Sequence, residues 1–157
     1  MARPWKIVDL DPNENLKVCL HKIALTRFQE TFSYEQGTLK GEDNEALHDM
    51  RVAARRLRAI LRIFKDCFPK KKFKKHDKKL QSLIRSLGAV RERDVLIELL
   101  DGKKQDLTQR EGKIVDLMLA RERNAKLSLR KQLLSELRGL RRARYEESFS
   151  LFLNESL

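Results

Sequence analysis

The sequence predicts an all-α fold, an antiparallel bundle of about five to six helices, on three observations. Six glycines and three prolines punctuate 157 residues, apolar residues recur at helical three-and-four spacing over long stretches, and no segment sustains the period of two that marks a strand. With 41% hydrophobic residues, the chain can bury one core but is too short for two well-developed ones. A single domain over 1–157 is therefore expected, with its motif-bearing region at 43–101 and C-terminal helices at 108–155.

In "DPNENLKVCLHKIALTRFQETF", Asp11 is placed to cap a helix, Pro12 to open its first turn and Glu14 to close a capping box. Leu16, Cys19, Leu20, Ile23, Phe28 and Phe32 then form an apolar stripe, so a first helix is expected over about 12–34. "EQGTLKGEDN", with two glycines, reads as a loop. Asp43 or Asn44 caps the next helix, which runs to Cys67 because Pro69 disfavours helical geometry in the residue before it.

A third helix is expected over about 70–87, closed by Gly88 as a left-handed cap, and a fourth, "AVRERDVLIELLD", ends near Gly102. "GKKQDLTQREG" connects to a long helix over about 108–137, with Ile114, Leu117, Met118, Leu127, Leu133, Leu134 and Leu137 on its apolar side. Gly139 ends or weakens it. "LRRARYEESFSLFLNES" supplies a last amphipathic helix with Tyr145, Phe149 and Phe152 at helical spacing. Short connections between helices of this length favour antiparallel neighbours.

Thirty-five Lys and Arg against 23 Asp and Glu give a net charge of +12 and a pI near 10.0. Self-repulsion of that size calls for a polyanionic partner or an anionic surface. Cys19 and Cys67 fall inside apolar helical patterns and read as small core side chains in a reducing compartment. The start "MARPWKIVDLDP" has no apolar run of signal-peptide length, and no later window approaches the ~20 apolar residues of a membrane span. A cytoplasmic protein without a membrane partner is expected.

The charge is concentrated in "HDMRVAARRLRAILRIF". On a helical wheel, Leu47, Met50, Ala54, Leu57, Leu61 and Phe64 follow the spacing of a buried face. His48, Arg51, Arg55, Arg58, Arg62 and Lys65 follow the same steps shifted by one residue, forming a second stripe beside the first. From His48 to Arg62 this stripe covers about 21 Å of helix axis. No acidic residue interrupts it between Arg51 and Lys65. An ordinary solvated face interleaves Glu with Lys, because like charges at this spacing repel. Arginine also grips two oxygens of one phosphate with its planar fork. The pattern suits an extended anion better than a small one. In the following segment, Lys71, Lys74, Lys78 and Arg85 have the spacing to face the stripe from an antiparallel neighbour, while His76 reads as a surface residue. His21, His48 and His76 stand without a cysteine or carboxylate cluster at ligand spacing, so no metal and no cofactor is expected.

Two ordered motifs resemble the CHAD domain family. "ALHDMRVAARRLRAILRIF" follows its H-x-x-R-V-x-x-R-R-L-R pattern through His48, Arg51, Val52, Arg55, Arg56, Leu57 and Arg58. "LIRSLGAVRERDVLIELL" is similar to its L-G-x-x-R-D-x-D-V segment through Leu87, Gly88, Arg91, Asp94 and Val95, with Glu92 and Arg93 departing from the pattern. The resemblance implies a helical, non-catalytic domain that binds inorganic polyphosphate in a basic channel and can associate with polyphosphate granules. Carried across residue by residue, the phosphate contacts are His48, Arg51, Arg55, Arg58 and Arg62, supported by Arg56, Lys78, Arg85 and Arg91. Arg56 points opposite in sense to the stripe, toward an adjacent wall, and Asp94 is expected to pair with a nearby arginine. The family commonly has two similar halves, whereas this sequence carries the motifs of one. A homodimer that completes the channel is the expectation this raises, beside that of a fragment or truncated member binding through one open face.

Two further classes compete. A nucleic-acid-binding basic protein fits the charge, but the aromatic residues lie at core spacing and form no stacking platform. An enzyme of phosphoryl transfer would need a phosphate loop or metal-holding carboxylates near the stripe, and the sequence has neither there.

Overall fold

The computed structural model of the chain describes residues 3–157, and among these it contains helices and no strand. Six α-helices follow one another: α1 Leu16–Ser33, α2 Glu35–Lys40, α3 Glu45–Ile63, α4 Lys70–Lys103, α5 Gln109–Arg142 and α6 Tyr145–Ser156. One-turn 3-10 segments occupy Lys65–Cys67 and Lys104–Asp106. Ion pairs record the antiparallel course of α3, α4 and α5. Arg58 meets Asp77 near the first turn, while Arg93 meets Glu122 and Lys104 meets Asp116 toward the second.

Two apolar clusters fill the bundle, and α3 and α4 contribute to both. Toward the Lys65–Cys67 turn, Leu57, Leu61, Phe68 and Leu80 pack with Leu20, Ala24 and Phe28 of α1 and with Tyr145, Phe149, Phe152 and Leu153 of α6. Farther along, Leu47, Met50, Leu83, Leu87 and Val90 pack with Leu133 and Leu137 of α5. No helix among the described residues is long and apolar enough to cross a membrane.

Several element boundaries differ from the sequence expectation. α1 starts at Leu16 with Asn15 as its cap, the Asn15 side chain accepting from the Lys17 amide, while Asp11 caps a local turn at Asn13. Glu14 consequently forms no capping box and instead binds the Lys22 ammonium at 2.7 Å. Leu16, at the very start of the helix, is exposed rather than part of the stripe. The expected loop at 35–40 is the short helix α2, ended by Gly41 in the left-handed conformation at φ 66°. Its Gly37 permits close packing, since a Cβ there would stand 2.6 Å from that of Ala46. α3 ends at Ile63 and not at Cys67, the last turn tightening to 3-10. Its first amides are held by Asp43, whose Oδ1 accepts from Glu45 and Ala46 at 2.9 and 3.2 Å.

The largest difference is α4. One 34-residue helix replaces two, and Gly88 lies within it. The buried positions Leu80, Leu83, Leu87, Val90 and Asp94 continue at helical spacing straight through the glycine, so packing overrides its weak propensity. Gly139 likewise lies inside α5, which starts at the capping box of Thr108 and Glu111 and breaks only at Ala143, before Arg144 in the left-handed region. Of the apolar side expected for α5, Leu133 and Leu137 are buried, but Ile114, Leu117, Met118 and Leu127 are exposed. The last turn of α4 and the first half of α5 form an arm that extends past the start of α3, where Asn44 meets Glu98, and at its base Val95 and Leu99 are 47% and 57% exposed.

His76 is a further correction. Rather than lying on the surface, it is 3% exposed, its ring stacked on Phe152 at 4.4 Å between centroids and its Nδ1 3.4 Å from the Tyr145 hydroxyl. The aromatic residues of α6 make this end of the bundle a pocket that the ring fills. Burial, reinforced by Lys79 and Lys75, lowers its pKa to about 4. The unfolded chain takes up a proton near pH 6.5 and the native state does not, so stability is complete above that pH and falls as pH drops toward 4. Urea unfolding of the wild type should show a loss of about 2 kcal/mol between pH 7 and pH 5 from this group alone. The same comparison on His76→Phe should show a decrement smaller by that amount.

Candidate functional site

Burial of Leu47, Met50, Ala54, Leu57 and Leu61 fixes the roll of α3 about its axis. The stripe one residue onward then has no choice of direction. His48, Arg51 and Arg58 lie half-buried along the edge shared with α4, and Arg55, Arg62 and Lys65 are exposed. From α4, Asp77, Gly88 and Arg91 come up to this edge.

His48, Arg51, Gly88, Arg91, Glu92 and Val95 line an open cleft of about 390 Å³. Three nitrogens beside it, His48 Nδ1, Arg51 Nε and Arg91 Nη1, are buried without a hydrogen-bond partner. Arg91 Nη1 stands 3.6 Å from Glu98 Oε1, an ion-pair distance beyond hydrogen-bonding reach. Glu98 Oε1 also accepts from the Asn44 side chain at 3.3 Å. A buried donor left unmade costs about 1–3 kcal/mol. The cleft is thus walled by two guanidinium ions and an imidazole, each with a buried nitrogen that makes no hydrogen bond, a set of side chains suited to an anion.

Gly88 makes this arrangement possible. It is buried, and a Cβ at this position would stand 3.3 Å from Arg51 Nε. The bare backbone thus lets the arginine side chain lie flat across α4. Beyond the cleft, exposed cations continue the edge on both helices, with Arg55 and Arg62 on α3 and Lys78 and Arg85 on α4. Arg85 is three residues before Gly88, one turn along the same face.

Two of the expected residues are engaged elsewhere. Arg58 donates from Nε and Nη2 to Asp77 at 2.8 and 3.2 Å, a two-pronged pair within the line of the stripe. Arg56 points to the other flank of α3, where Nη1 reaches Glu30 at 3.4 Å. Glu30 is fully buried on α1 and also holds Arg27 at 2.5 Å. Arg56 therefore does not join the cleft, because a 100° step carries it toward α1 rather than α4. Asp94 is buried as a structural residue, but its partner is Lys126 of α5 at 2.5 Å and not an arginine. Lys126 also comes within 3.5 Å of the Asn44 side-chain oxygen, so the pair ties α5 to the start of α3 behind the cleft.

Sequence reasoning missed Asp77 and the role of Gly88. The signal for Asp77 was present, since Arg58 and Asp77 stand on either side of the turn before Pro69 and an antiparallel hairpin brings them within reach of each other. Among the described residues, no three His, Cys, Asp or Glu side chains gather where they could hold a metal ion.

The space at Gly88 yields an outcome in which stability and binding separate. Alanine favours a helix interior over glycine by about 1 kcal/mol, and the atom its methyl would meet belongs to a flexible side chain. Gly88→Ala should therefore melt no lower than the wild type while pushing Arg51 Nε aside by a few tenths of an ångström, which would weaken the binding of any anion held by Arg51. Parallel thermal unfolding and tripolyphosphate titration check both halves.

No curated protein matches the sequence significantly. The profile of the CHAD domain matches residues 22–157, a span that takes in α3, the cleft and all of α4 to α6, and the chain belongs to the CHAD domain family.

Proposed function

We propose that this chain binds inorganic polyphosphate without transforming it, along the groove between α3 and α4. The observation that carries this reading is that His48, Arg51 and Arg91, each with a buried nitrogen that lacks a hydrogen-bond partner, line one open cleft. Family membership and the net charge of +12 support it. Exposed Arg55, Arg62, Lys78 and Arg85 extend the donor set beyond the cleft, as a linear polyanion requires. The one acid lining the cleft, Glu92, is exposed.

Nucleic acid is the less favoured polyanion. Phe28, Phe68, Phe149, Phe152 and Tyr145 are all buried, so they offer no face on which bases could stack. Short polyphosphate should displace the protein from DNA at far lower phosphate concentration than DNA needs to displace polyphosphate.

The reading includes a homodimer that furnishes a second wall. Val95 lines the cleft and is 47% exposed, and Leu99 continues the same row one turn farther on, so a second copy seated there would cover apolar surface and face the donors. Sedimentation with and without polyphosphate tests this part, and a monomer under both conditions rejects it.

Calorimetric titration with polyphosphate at two salt concentrations tests the binding itself. Arg51→Ala and Arg91→Ala should each lower affinity about tenfold or more at low salt and reduce the salt dependence by about one counterion. Circular dichroism should show helix content unchanged. Affinity equal to wild type in both variants would reject the site.

A further inference from the structure

We infer that Asp77 sets how long an anion the groove holds tightly, a specificity role that rests on the polyphosphate reading above. The stripe is unbroken in sequence but broken in space. Arg58 lies at its centre, and Asp77, from the facing helix, takes its Nε and Nη2 in a two-pronged pair at 2.8 and 3.2 Å. That edge of a guanidinium is the one best suited to gripping two phosphate oxygens. Both side chains are 19% exposed, so the pair is less screened by salt than an ion pair on the open surface.

The groove is thereby divided. Between His48 and Arg55 the donors are His48, Arg51 and Arg55 on α3, with Arg85 and Arg91 on α4, and this stretch covers about 10 Å of α3. Past it, a chain of phosphates meets a carboxylate where the sequence pattern promised a cation. Arg62 and Lys65 are exposed beyond the break, and Lys74 and Lys78 flank Asp77 on α4, so the repulsion is local to one position. A short oligophosphate sits in the cleft without reaching Asp77. A long one either bows away from the groove at Arg58 or displaces the carboxylate, and both reduce what it gains from added length.

Asp77→Asn keeps the shape and removes the charge. Tripolyphosphate and long-chain polyphosphate are titrated separately against the full chain at physiological ionic strength, where the screening length is about 8 Å. The variant should bind long-chain polyphosphate about tenfold more tightly, with a salt slope steeper by about one. Its affinity for tripolyphosphate should change less than about twofold, because that ligand, held at His48, Arg51 and Arg91, lies about 10 Å along α3 from Arg58, beyond the screening length. Adding Arg58→Gln to Asp77→Asn should abolish the gain, since the gain needs the freed guanidinium. An equal gain on both ligands, no gain on the long one, or a gain that survives Arg58→Gln overturns the role of Asp77 and leaves the polyphosphate reading standing. A wild type that binds neither ligand overturns that reading and this role together.

Discussion

The antiparallel seam between α3 and α4 governs the rest of the molecule. Leu47, Met50, Leu57 and Leu61 on one side and Leu80, Leu83, Leu87 and Val90 on the other are all buried, and they belong to both apolar clusters. Removing such side chains from water is the largest favourable term available to a domain of this size. Because the basic stripe is offset from the buried one by a single residue, the same burial that folds the protein also aims its cations. A rotation of α3 that moved the arginines out of the groove would expose leucines.

Arg27, Arg56 and Lys126, which are not aimed at the groove, are held by dedicated acids. Glu30, fully buried, serves Arg27 and Arg56 at the α1–α3 contact, and Asp94 serves Lys126 between α4 and α5. A buried carboxylate is costly unless its partners are close, and in both places they are. The contrast with the cleft is chemical. There the cations and imidazole have donors to spare and no acid within hydrogen-bonding distance of the three buried nitrogens.

Periodicity made the helical class, the two stripes of α3 and the aromatic face of α6 readable, because each depends on residues close together in the chain. Tyr145, Phe149 and Phe152 are buried as their spacing implies. What stayed hidden depends on partners distant in sequence. Gly88 reads as a stop signal until Arg51 is seen lying across it, and His76 reads as one more polar residue in a lysine run until α6 closes over it. The loop expected at 35–40 is helical because Gly37 allows contact with Ala46, a reason that no local propensity contains. For the site, the stripe puts His48, Arg51 and Arg55 on one side of α3 and treats Arg58 as equivalent to them. Only the facing helix distinguishes it.

The continuity of α4 has one more consequence. Over 34 residues it measures about 51 Å, and it runs unkinked in hydrogen bonding from the His76 aromatic cluster, past the cleft, to the end of the arm. One wall of the groove is thus a single continuous helix. Adjustment to different anions falls to arginine rotamers, which interconvert on the picosecond-to-nanosecond scale when exposed. A phosphate chain bound as proposed would exchange one exposed guanidinium for the next without waiting for the backbone.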